Sequence, residues 1–221
     1  GEGVAVFDSY EELLETGHEY VDVVGLPVSI QTHADMSIKA MEHGYDVLLE
    51  KPPAPTVEEI DAIQRTADRT GNFCSIGFQF IHSRSIRQLK ERIVDGQLGE
   101  IEELAAKGYW PRTDAYYGRN PWAGTLVNEG ELVLDGPVHN AFAHFLQNML
   151  FLAGDGLHES ADLAEITAER YRANRDIDAA DVATLQATTT DGTEISFYVT
   201  HVADERQDPY MEVTGTEGSA E

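Results

Sequence analysis

The chain is poor in cysteine, in basic residues and in long apolar runs. With one cysteine, Cys74, the chain can form neither an intramolecular disulfide nor a cysteine-based metal site. The apolar neighbours of Cys74 predict that it is buried in the core. No run of about 18 apolar residues is present, so no membrane span is expected. Only 15 of the 221 residues are Lys or Arg, against 40 Asp or Glu. The net charge of -25 argues against a nucleic-acid partner, because such a surface repels phosphates.

The acidic residues are spread along the whole chain, as in Glu11-Glu12 and Asp204-Glu205. Salt screens the repulsion between such charges, so this pattern suits a folded protein at high ionic strength. We therefore expect a cytoplasmic protein from a halophile, a cell that accumulates salt. No signal peptide is recognised. Since the chain opens on Gly1 rather than Met and stops at Glu221 just after a turn, we expect it to be an internal segment of a longer protein.

Strand-like and helix-like segments alternate in the first part of the chain. Strands are predicted at 21–26, 47–49 and 73–78, and helices at 10–14, at 32–43 and from a capping box at Thr56 to Thr70. The order βαβαβ with short links implies a parallel sheet with right-handed crossovers. The apolar run Val4 to Phe7 predicts one more strand.

The second part of the chain has a different pattern. Helices are predicted at 85–94 and 140–152, and strands at 101–110, 164–171, 182–190, 194–200 and 211–214. The dipeptide Asp191-Gly192 predicts a hairpin, and the succession of strands predicts an antiparallel sheet. The alternating Ile195, Phe197 and Val199 suit either burial against a partner or a core. The chain is therefore expected to hold part of a parallel α/β domain followed by an α+β domain.

The tripeptide Glu50-Lys51-Pro52 follows the predicted strand at 47–49. Ligands gather at the carboxyl ends of parallel strands. Pro52 fixes its own φ and disfavours the helical region for Lys51, so the turn is stiff and the ammonium can be aimed. A lysine–proline turn on the surface is the alternative that these three residues alone leave open.

Several short motifs in a fixed order resemble the Gfo/Idh/MocA family of NAD(P)-dependent oxidoreductases. They are a strand ending in a proline loop (23–27), His33 opening a helix, the segment 44–52, Gly77-Phe78, the segment 95–101 and the turn 215–219. The resemblance covers nearly the whole chain. It implies the C-terminal part of a dinucleotide-binding Rossmann domain over 1–80. It also implies a substrate-binding and oligomerisation α+β domain over 81–221 with an open antiparallel sheet, truncated at its C-terminus.

The family's first βαβ unit carries a G-x-G-x-x-G loop that holds the cofactor pyrophosphate. That loop is absent from these residues, and Gly1-Glu2-Gly3 does not replace it because a strand is predicted after it. A unit of roughly 30 residues or more is therefore expected upstream, together with the residue that selects NAD or NADP. As written, the chain is expected to bind cofactor poorly.

The resemblance implies roles for four residues near the cofactor. Lys51 would contact the substrate hydroxyl and the nicotinamide ribose, as a general acid/base or its electrostatic helper, and Glu50 would position both the lysine and the ribose. Pro27 and His33 would lie near the cofactor. For His33 a helix-capping role is the alternative, and it is the one we favour.

The family's Asp-x-x-x-His pair can be matched in two ways. Asp135 and His139 have the spacing and the carboxylate, whereas Asn140 and His144 have the same spacing with an amide. The distance forward to Gly154 favours His144. We therefore take His144 as catalytic with Asn140 beside it, and Asp135 and His139 as substrate-pocket residues. Either histidine could instead be structural. If Asn140 replaces the carboxylate, more of the proton chemistry falls on Lys51.

The aromatic loop 116–122 is the other candidate site. Aromatic faces stack on sugar rings, and Arg119 and Asn120 donate to hydroxyls or carboxylates, with Trp122 beside them. Packing over the sheet or an oligomer contact is the alternative. A zinc site from His33, His139 and His144 is disfavoured by the spacing of the last two, so no metal is expected.

Together these features predict a dehydrogenase that moves hydride between NAD or NADP and a sugar, cyclitol or related polyol, with Lys51 and His144 handling the proton. A cofactor-binding sensor and an NAD-assisted glycosidase on the same fold are the alternatives. Association of copies through the C-terminal sheet is also expected.

Overall fold

The structure, a computed structural model, describes residues 4–221, so Gly1-Glu2-Gly3 lies outside the described residues. The chain divides into two units, Gly1–Gly77 (unit 1) and Phe78–Glu221 (unit 2). The division into domains between residues 80 and 81 stays a prediction. None of the helices that the structure describes is long and apolar enough to cross a membrane.

Unit 1 contains a three-stranded parallel sheet in the order β1-β2-β3. Its elements are α1 (Tyr10–Thr16), β1 (Val23–Leu26), α2 (His33–Glu42), β2 (Asp46–Leu49), α3 (Val57–Thr70) and β3 (Cys74–Ile76). One face of the sheet is buried, with Val47 and Leu49 packed in a core that includes Met41 of α2. Val23 and Leu48 of the opposite face are exposed within the unit, so these strands alternate rather than being buried on both faces.

The helix ends of unit 1 follow from local sequence. Thr56 caps α3: its hydroxyl accepts from the Glu59 N–H at 3.3 Å, while the Glu59 carboxylate accepts from the Thr56 N–H at 3.1 Å. Gly71 ends the same helix at φ 78°, in the left-handed region. Ser9 caps α1 by accepting from the Glu12 N–H at 3.0 Å. The capping box and both helix starts were predictable and are confirmed.

The strand expected from Val4 to Phe7 is wrong. These residues adopt no regular structure, and Val4 and Val6 are 90% and 85% exposed. β-branched residues have strand propensity, but within the described residues no neighbouring strand pairs with this segment.

Unit 2 is built on a six-stranded sheet in the order β11-β10-β4-β9-β8-β7. Its strands are β4 (Ile101–Tyr109), β5 (Val127–Asn128), β6 (Glu131–Leu132), β7 (Leu163–Tyr171), β8 (Val182–Thr189), β9 (Glu194–Thr200), β10 (Gln207–Gly215) and β11 (Gly218–Ala220). Its helices are α4 (Arg84–Val94), α5 (Asp114–Tyr117), a π-helical turn (Pro137–Ala141) and α6 (Ala143–Ala153). β5 and β6 form a separate small hairpin.

The six-stranded sheet is antiparallel except for one pair, β4 and β9. These two strands are parallel, with Leu104 opposite Ile195 and Gly108 opposite Val199. After β4 the chain leaves the sheet for the helical segments and returns at β7, and the β7-β8-β9 meander brings β9 beside β4 in the same direction. The carboxyl ends of β4 and β9 therefore lie at the same edge of the sheet.

The alternating residues of β9 belong to the core. Ile195, Phe197 and Val199 are buried in one cluster with Met149 and Leu152 of α6. Of the two alternatives considered for these residues, the core is therefore the one observed. The opposite face of the sheet carries polar and aromatic side chains, with Tyr210, Lys107, Tyr198 and Thr184 in register across four strands.

Lys90 of α4 is 0% exposed and ends α6. Its ammonium donates to the Phe151 carbonyl at 2.6 Å and to the Gly154 carbonyl, and it lies 5.1 Å from the centroid of the Phe151 ring. The last carbonyls of a helix have no partner within the helix, so this side chain satisfies them. Burial lowers the pKa of Lys90.

Candidate functional site

The carboxyl ends of the three parallel strands carry the motif residues of unit 1. Pro27 directly follows β1, Glu50 and Lys51 follow β2, and Gly77 follows β3. The Lys51 N–H donates to the Glu50 carboxylate at 3.3 Å, and the Lys51–Pro52 peptide is cis. The strand ends thus gather these residues along one edge of the sheet, as expected for a parallel α/β fold.

His33 is buried and holds two loops together. Its Nδ1 lies 2.8 Å from the Pro52 carbonyl oxygen and its Nε2 lies 3.1 Å from the Val28 carbonyl oxygen. It is the first residue of α2, and Thr32 occupies the cap position. The capping role favoured for His33 is therefore wrong. Both ring nitrogens face backbone carbonyls, so His33 holds the turn that carries Lys51, and its place near the cofactor stays a prediction.

Asp135 organises the loop ahead of α6 in unit 2. It is buried, and its two carboxylate oxygens accept from the Gly124 N–H and the Asn140 side-chain amide, each at 2.8 Å. Gly124 has φ +73°, and a Cβ there would lie 2.8 Å from atoms of Ile177 and Tyr117. Charge-assisted bonds of this kind fix the loop firmly. Asp135 therefore fixes the position of the Gly124 backbone and of the Asn140 side chain, a predicted site residue.

The two candidate histidines lie in different helical segments. His139 and Asn140 belong to the π-helical turn, where the Phe142 N–H donates to the Pro137 carbonyl at 2.7 Å, whereas His144 lies in the first turn of α6. The helix predicted at 140–152 is therefore not a single α-helix, because the chain is π-helical up to Ala141 and α-helical from Ala143. π-helical turns are frequent at functional sites.

The His144 side chain is buried against aromatic rings. Its ring stacks on Phe80 with centroids 4.2 Å apart and meets the edge of Phe78 at 5.9 Å. These contacts fix the plane of the imidazole. A histidine held in this way is suited to present one ring nitrogen in a constant direction.

The aromatic loop is organised around Tyr116. The Arg119 and Arg112 guanidinium carbons lie 3.7 and 4.2 Å from the Tyr116 ring centroid, and Arg119 is also 5.5 Å from that of Trp122. The Asn120 side-chain oxygen accepts from the Trp122 N–H at 3.2 Å, so it shapes the loop. Arg119 and Trp122 thus lie together as predicted, whereas the Asn120 oxygen is used internally.

Sequence reasoning missed Arg112 and His201. Arg112 follows the end of β4 and His201 follows the end of β9, and the Arg112 N–H donates to the His201 carbonyl at 3.0 Å. An antiparallel reading of the sheet places these residues far apart. They meet because β4 and β9 run parallel, and no local sequence signal indicates that pairing.

Both units match models of one protein family. Residues 2–78 match the description "Oxidoreductase family, NAD-binding Rossmann fold", and residues 86–221 match "GFO/IDH/MocA C-terminal domain".

Among the described residues, no group of three or more His, Cys, Asp or Glu side chains is placed to hold a metal ion.

Relatives with curated names include two kinds of enzyme. The chain is 30% identical over 133 residues to scyllo-inositol 2-dehydrogenase (NAD(+)) of Bacillus subtilis, a match that covers 60% of this chain and 36% of the relative. It is 39% identical over 125 residues to a glycosyl hydrolase family 109 protein of Porphyromonas gingivalis, which covers 51% of this chain and 24% of the relative.

A solved structure shows the same fold. The WlbA dehydrogenase of Chromobacterium violaceum, crystallised with NADH and UDP-GlcNAcA, superposes with a TM-score of 0.84 at 22% identity, over 96% of this chain and 58% of that chain. The chain thus spans well under two thirds of the length of these relatives.

Proposed function

The chain belongs to the Gfo/Idh/MocA oxidoreductase family, and from this premise we propose that the protein is an NAD(P)-dependent dehydrogenase. Its substrate is a sugar, cyclitol or related polyol, which is oxidised at a hydroxyl-bearing carbon. The observation that carries the proposal is the Glu50-Lys51-Pro52 turn at the carboxyl end of β2, in a unit that matches an NAD-binding Rossmann family. The relative named as a scyllo-inositol dehydrogenase supports the substrate class.

The residues of unit 1 fit the nicotinamide-ribose half of the cofactor. Glu50 is exposed at the end of β2, where a carboxylate accepts hydrogen bonds from ribose hydroxyls, and Pro27 lies at the neighbouring strand end. When bound, the cofactor supplies the hydride acceptor. The glycine-rich loop that holds the pyrophosphate is not among these 221 residues, so the fit extends to one half of the dinucleotide.

Lys51 is the residue we assign to the substrate proton. Oxidation of an alcohol removes a hydroxyl proton as hydride leaves the carbon, and a neutral lysine amine can accept that proton. Two contacts hold its turn, the Glu50 carboxylate on its N–H and His33 on the Pro52 carbonyl. A general base must be held within hydrogen-bond reach of its proton, so these contacts serve the chemistry directly.

In unit 2 we assign His144 as the catalytic histidine and Asn140, Asp135 and His139 as substrate-pocket residues. His144 is supported by its fixed ring plane against Phe80. Asp135 anchors Asn140 and therefore sets the direction of its amide.

The proposal is tested by following nicotinamide reduction by the full-length protein across a panel of sugars and cyclitols in molar KCl. Lys51→Ala should lower kcat/KM by about 10²- to 10⁴-fold, the range typical of general acid–base catalysis. Lys39→Ala is the matched control, because Lys39 is exposed and ion-paired with Asp35 on α2. Turnover that survives in Lys51→Ala would contradict the role of Lys51. Cofactor binding without turnover in either protein would favour a sensor.

The choice between the two histidines has its own test. His144→Ala and His139→Ala are compared through the pH dependence of kcat/KM. We expect His144→Ala to remove one limb of the profile and His139→Ala to change mainly KM. The reverse result would transfer the catalytic role to His139.

An NAD-assisted glycosidase is the second candidate, favoured by the relative named as a glycosyl hydrolase family 109 protein. Cleavage of nitrophenyl glycosides, with cofactor retained through purification and no net NADH formed, would support it. Net NADH formation in proportion to substrate would support the dehydrogenase.

We also propose that copies of the protein associate through the open face of the six-stranded sheet. Tyr198 and Tyr210 are partly exposed there and flank Lys107 in register. Light scattering of the wild type and of Tyr198→Glu measures this: the variant should lower the mass, and an unchanged mass would contradict the proposed face.

A further inference from the structure

An open cavity of about 480 Å³ lies in unit 2, where the carboxyl ends of β4 and β9 meet. Its polar lining residues are Arg112, Tyr117, Asn174, His201 and Asp204. Of these residues, only Tyr117 belongs to a site expected from the sequence, the aromatic loop 116–122. The cavity is large enough for a monosaccharide-sized group.

Arg112 is the unusual member of this set. Its guanidinium carbon lies 4.2 Å from the Tyr116 ring centroid and 5.8 Å from that of Trp110, and within the described part of the chain it makes no ion pair. Its Nε is buried and has no hydrogen-bond partner among residues 4–221. What sets Arg112 apart is this buried and unpartnered Nε in the wall of a cavity. A buried donor without an acceptor destabilises the protein, and more so when the group is charged, so an acceptor brought by a ligand would be favoured there.

The nearby carboxylates are committed elsewhere. Asp181 is buried and accepts from the Ala173 and Asn174 N–H groups at 2.8 and 2.7 Å. Asp135 accepts from Gly124 and Asn140, as described above. Asp204 is exposed at the rim, where water screens its charge. The cavity thus keeps the positive charge of Arg112 on its inner wall.

Three further lining groups, His201, Tyr117 and Asn174, are neutral and complement an anionic sugar. The His201 Nδ1 donates to the Trp110 carbonyl at 3.0 Å, and burial lowers the His201 pKa to about 4, so at neutral pH its Nε2 is an acceptor for a hydroxyl. Burial, followed by the charge of Asp181, raises the Tyr117 pKa to about 12, which keeps its hydroxyl as a donor. The Asn174 side-chain oxygen accepts from the Asp176 backbone N–H, which leaves the Asn174 side-chain NH₂ as a donor.

We propose that this cavity is a binding subsite for an oxyanion substituent of the substrate, a carboxylate or a phosphate, held by the Arg112 guanidinium. The His201 Nε2 accepts from a neighbouring sugar hydroxyl. A planar guanidinium that is pinned by aromatic rings presents its N–H groups in a fixed fork, which matches two oxygens of such an anion. The inference rests on the proposed function, because it assumes that the protein acts on a sugar. It adds the class of that sugar, which is acidic or phosphorylated rather than neutral.

The experiment is calorimetric titration of the full-length protein with D-glucuronate, D-glucose 1-phosphate and D-glucose. No nicotinamide cofactor is added, so that binding is measured without turnover. The wild type should bind at least one of the two anions roughly tenfold or more tighter than glucose. The two anions distinguish the carboxylate source from the phosphate source. Arg112→Gln should remove the preference, and Arg112→Lys, which keeps the charge without the fork, should retain only part of it.

Arg206→Gln is the matched control, because it removes the same charge from an exposed arginine that is ion-paired with Asp208 and lies outside the cavity lining. It should leave the preference intact. Equal affinity for glucose and for both anions, no binding of either anion in the millimolar range, or an unchanged preference in Arg112→Gln would overturn the subsite. Reduction of nicotinamide by neutral polyols would continue in that case if the proposed function holds, so the two failures are distinguishable.

Discussion

Replacing Lys90 by Met removes the ammonium that ends α6 while keeping most of the apolar stem. The Gly154 carbonyl then loses its donor, whereas the Phe151 carbonyl keeps the Gly154 N–H at 3.3 Å. A buried carbonyl left without a partner costs roughly 1–3 kcal/mol, and relief of the buried charge offsets part of this loss. We expect a net loss of about 1–2 kcal/mol in the free energy of unfolding, because one acceptor is orphaned, a second keeps one partner and one charge is relieved. At about 2–4 °C for each kcal/mol in a chain of this size, Tm should fall by roughly 2–8 °C.

The same substitution should change the pH dependence of stability. Burial places the Lys90 pKa in the folded protein below its unfolded value of about 10.4. Between these two pKa values the unfolded chain binds more protons, so raising the pH favours the folded state. The cost of the buried charge is fully present below the folded pKa and is relieved as the pH rises toward about 10.4. The wild type should therefore gain stability relative to Lys90→Met on the alkaline side.

Urea unfolding followed by circular dichroism, at neutral pH and at a mildly alkaline pH, measures both effects. Lys39→Met is the control, since Lys39 is an exposed lysine whose ion pair with Asp35 is screened by water. A Lys90→Met variant as stable as the wild type would refute the assigned role of Lys90 at the end of α6. A stability difference that shrinks as the pH rises would refute the sign of the pKa argument.

Three further outcomes are expected. Gly124→Ala should destabilise the protein by about 1–3 kcal/mol in chemical denaturation, because φ is +73° and the added methyl group would meet Ile177 and Tyr117; a neutral result would mean that this loop is not closely packed. Thr56→Ala should cost about 1 kcal/mol, and a double-mutant cycle with Glu59→Ala should show coupling unless the capping box contributes nothing. The melting temperature should rise by roughly 10 °C or more between low and molar KCl, whereas a flat response would end the halophile hypothesis.

The elements that short-range chemistry specifies were predictable from the sequence. The capping box at Thr56, the glycine that ends α3 and the hairpin at Asp191-Gly192 each depend on residues a few positions apart. The same holds for the turn that carries Lys51, because it needs only an apolar strand followed by a proline. Helix and strand periodicity, together with such local signals, predicted the parallel α/β class of the first part of the chain and the α+β class of the second.

The features that could not be predicted from the sequence depend on contacts between residues far apart in the chain. No local signal shows that β9 runs parallel to β4, so the meeting of Arg112 with His201 was invisible. The π-helical turn is equally hidden, because its apolar pattern resembles that of the α-helix it precedes. His33 was misread since its acceptors, the carbonyls of Val28 and Pro52, belong to loops that only the folded chain brings to it.

The position of β4 in its sheet has a consequence for synthesis on the ribosome. β4 ends at Tyr109, yet both strands that flank it, β9 and β10, begin only at Glu194 and Gln207. At about 5–20 residues per second, the nascent chain holds a central strand without neighbours for roughly 4–17 seconds before β9 has even begun to emerge. Leu104 and Ala106, which become core, cannot be covered by the residues of β9 during that interval. Chaperone demand should therefore be concentrated in this window of translation.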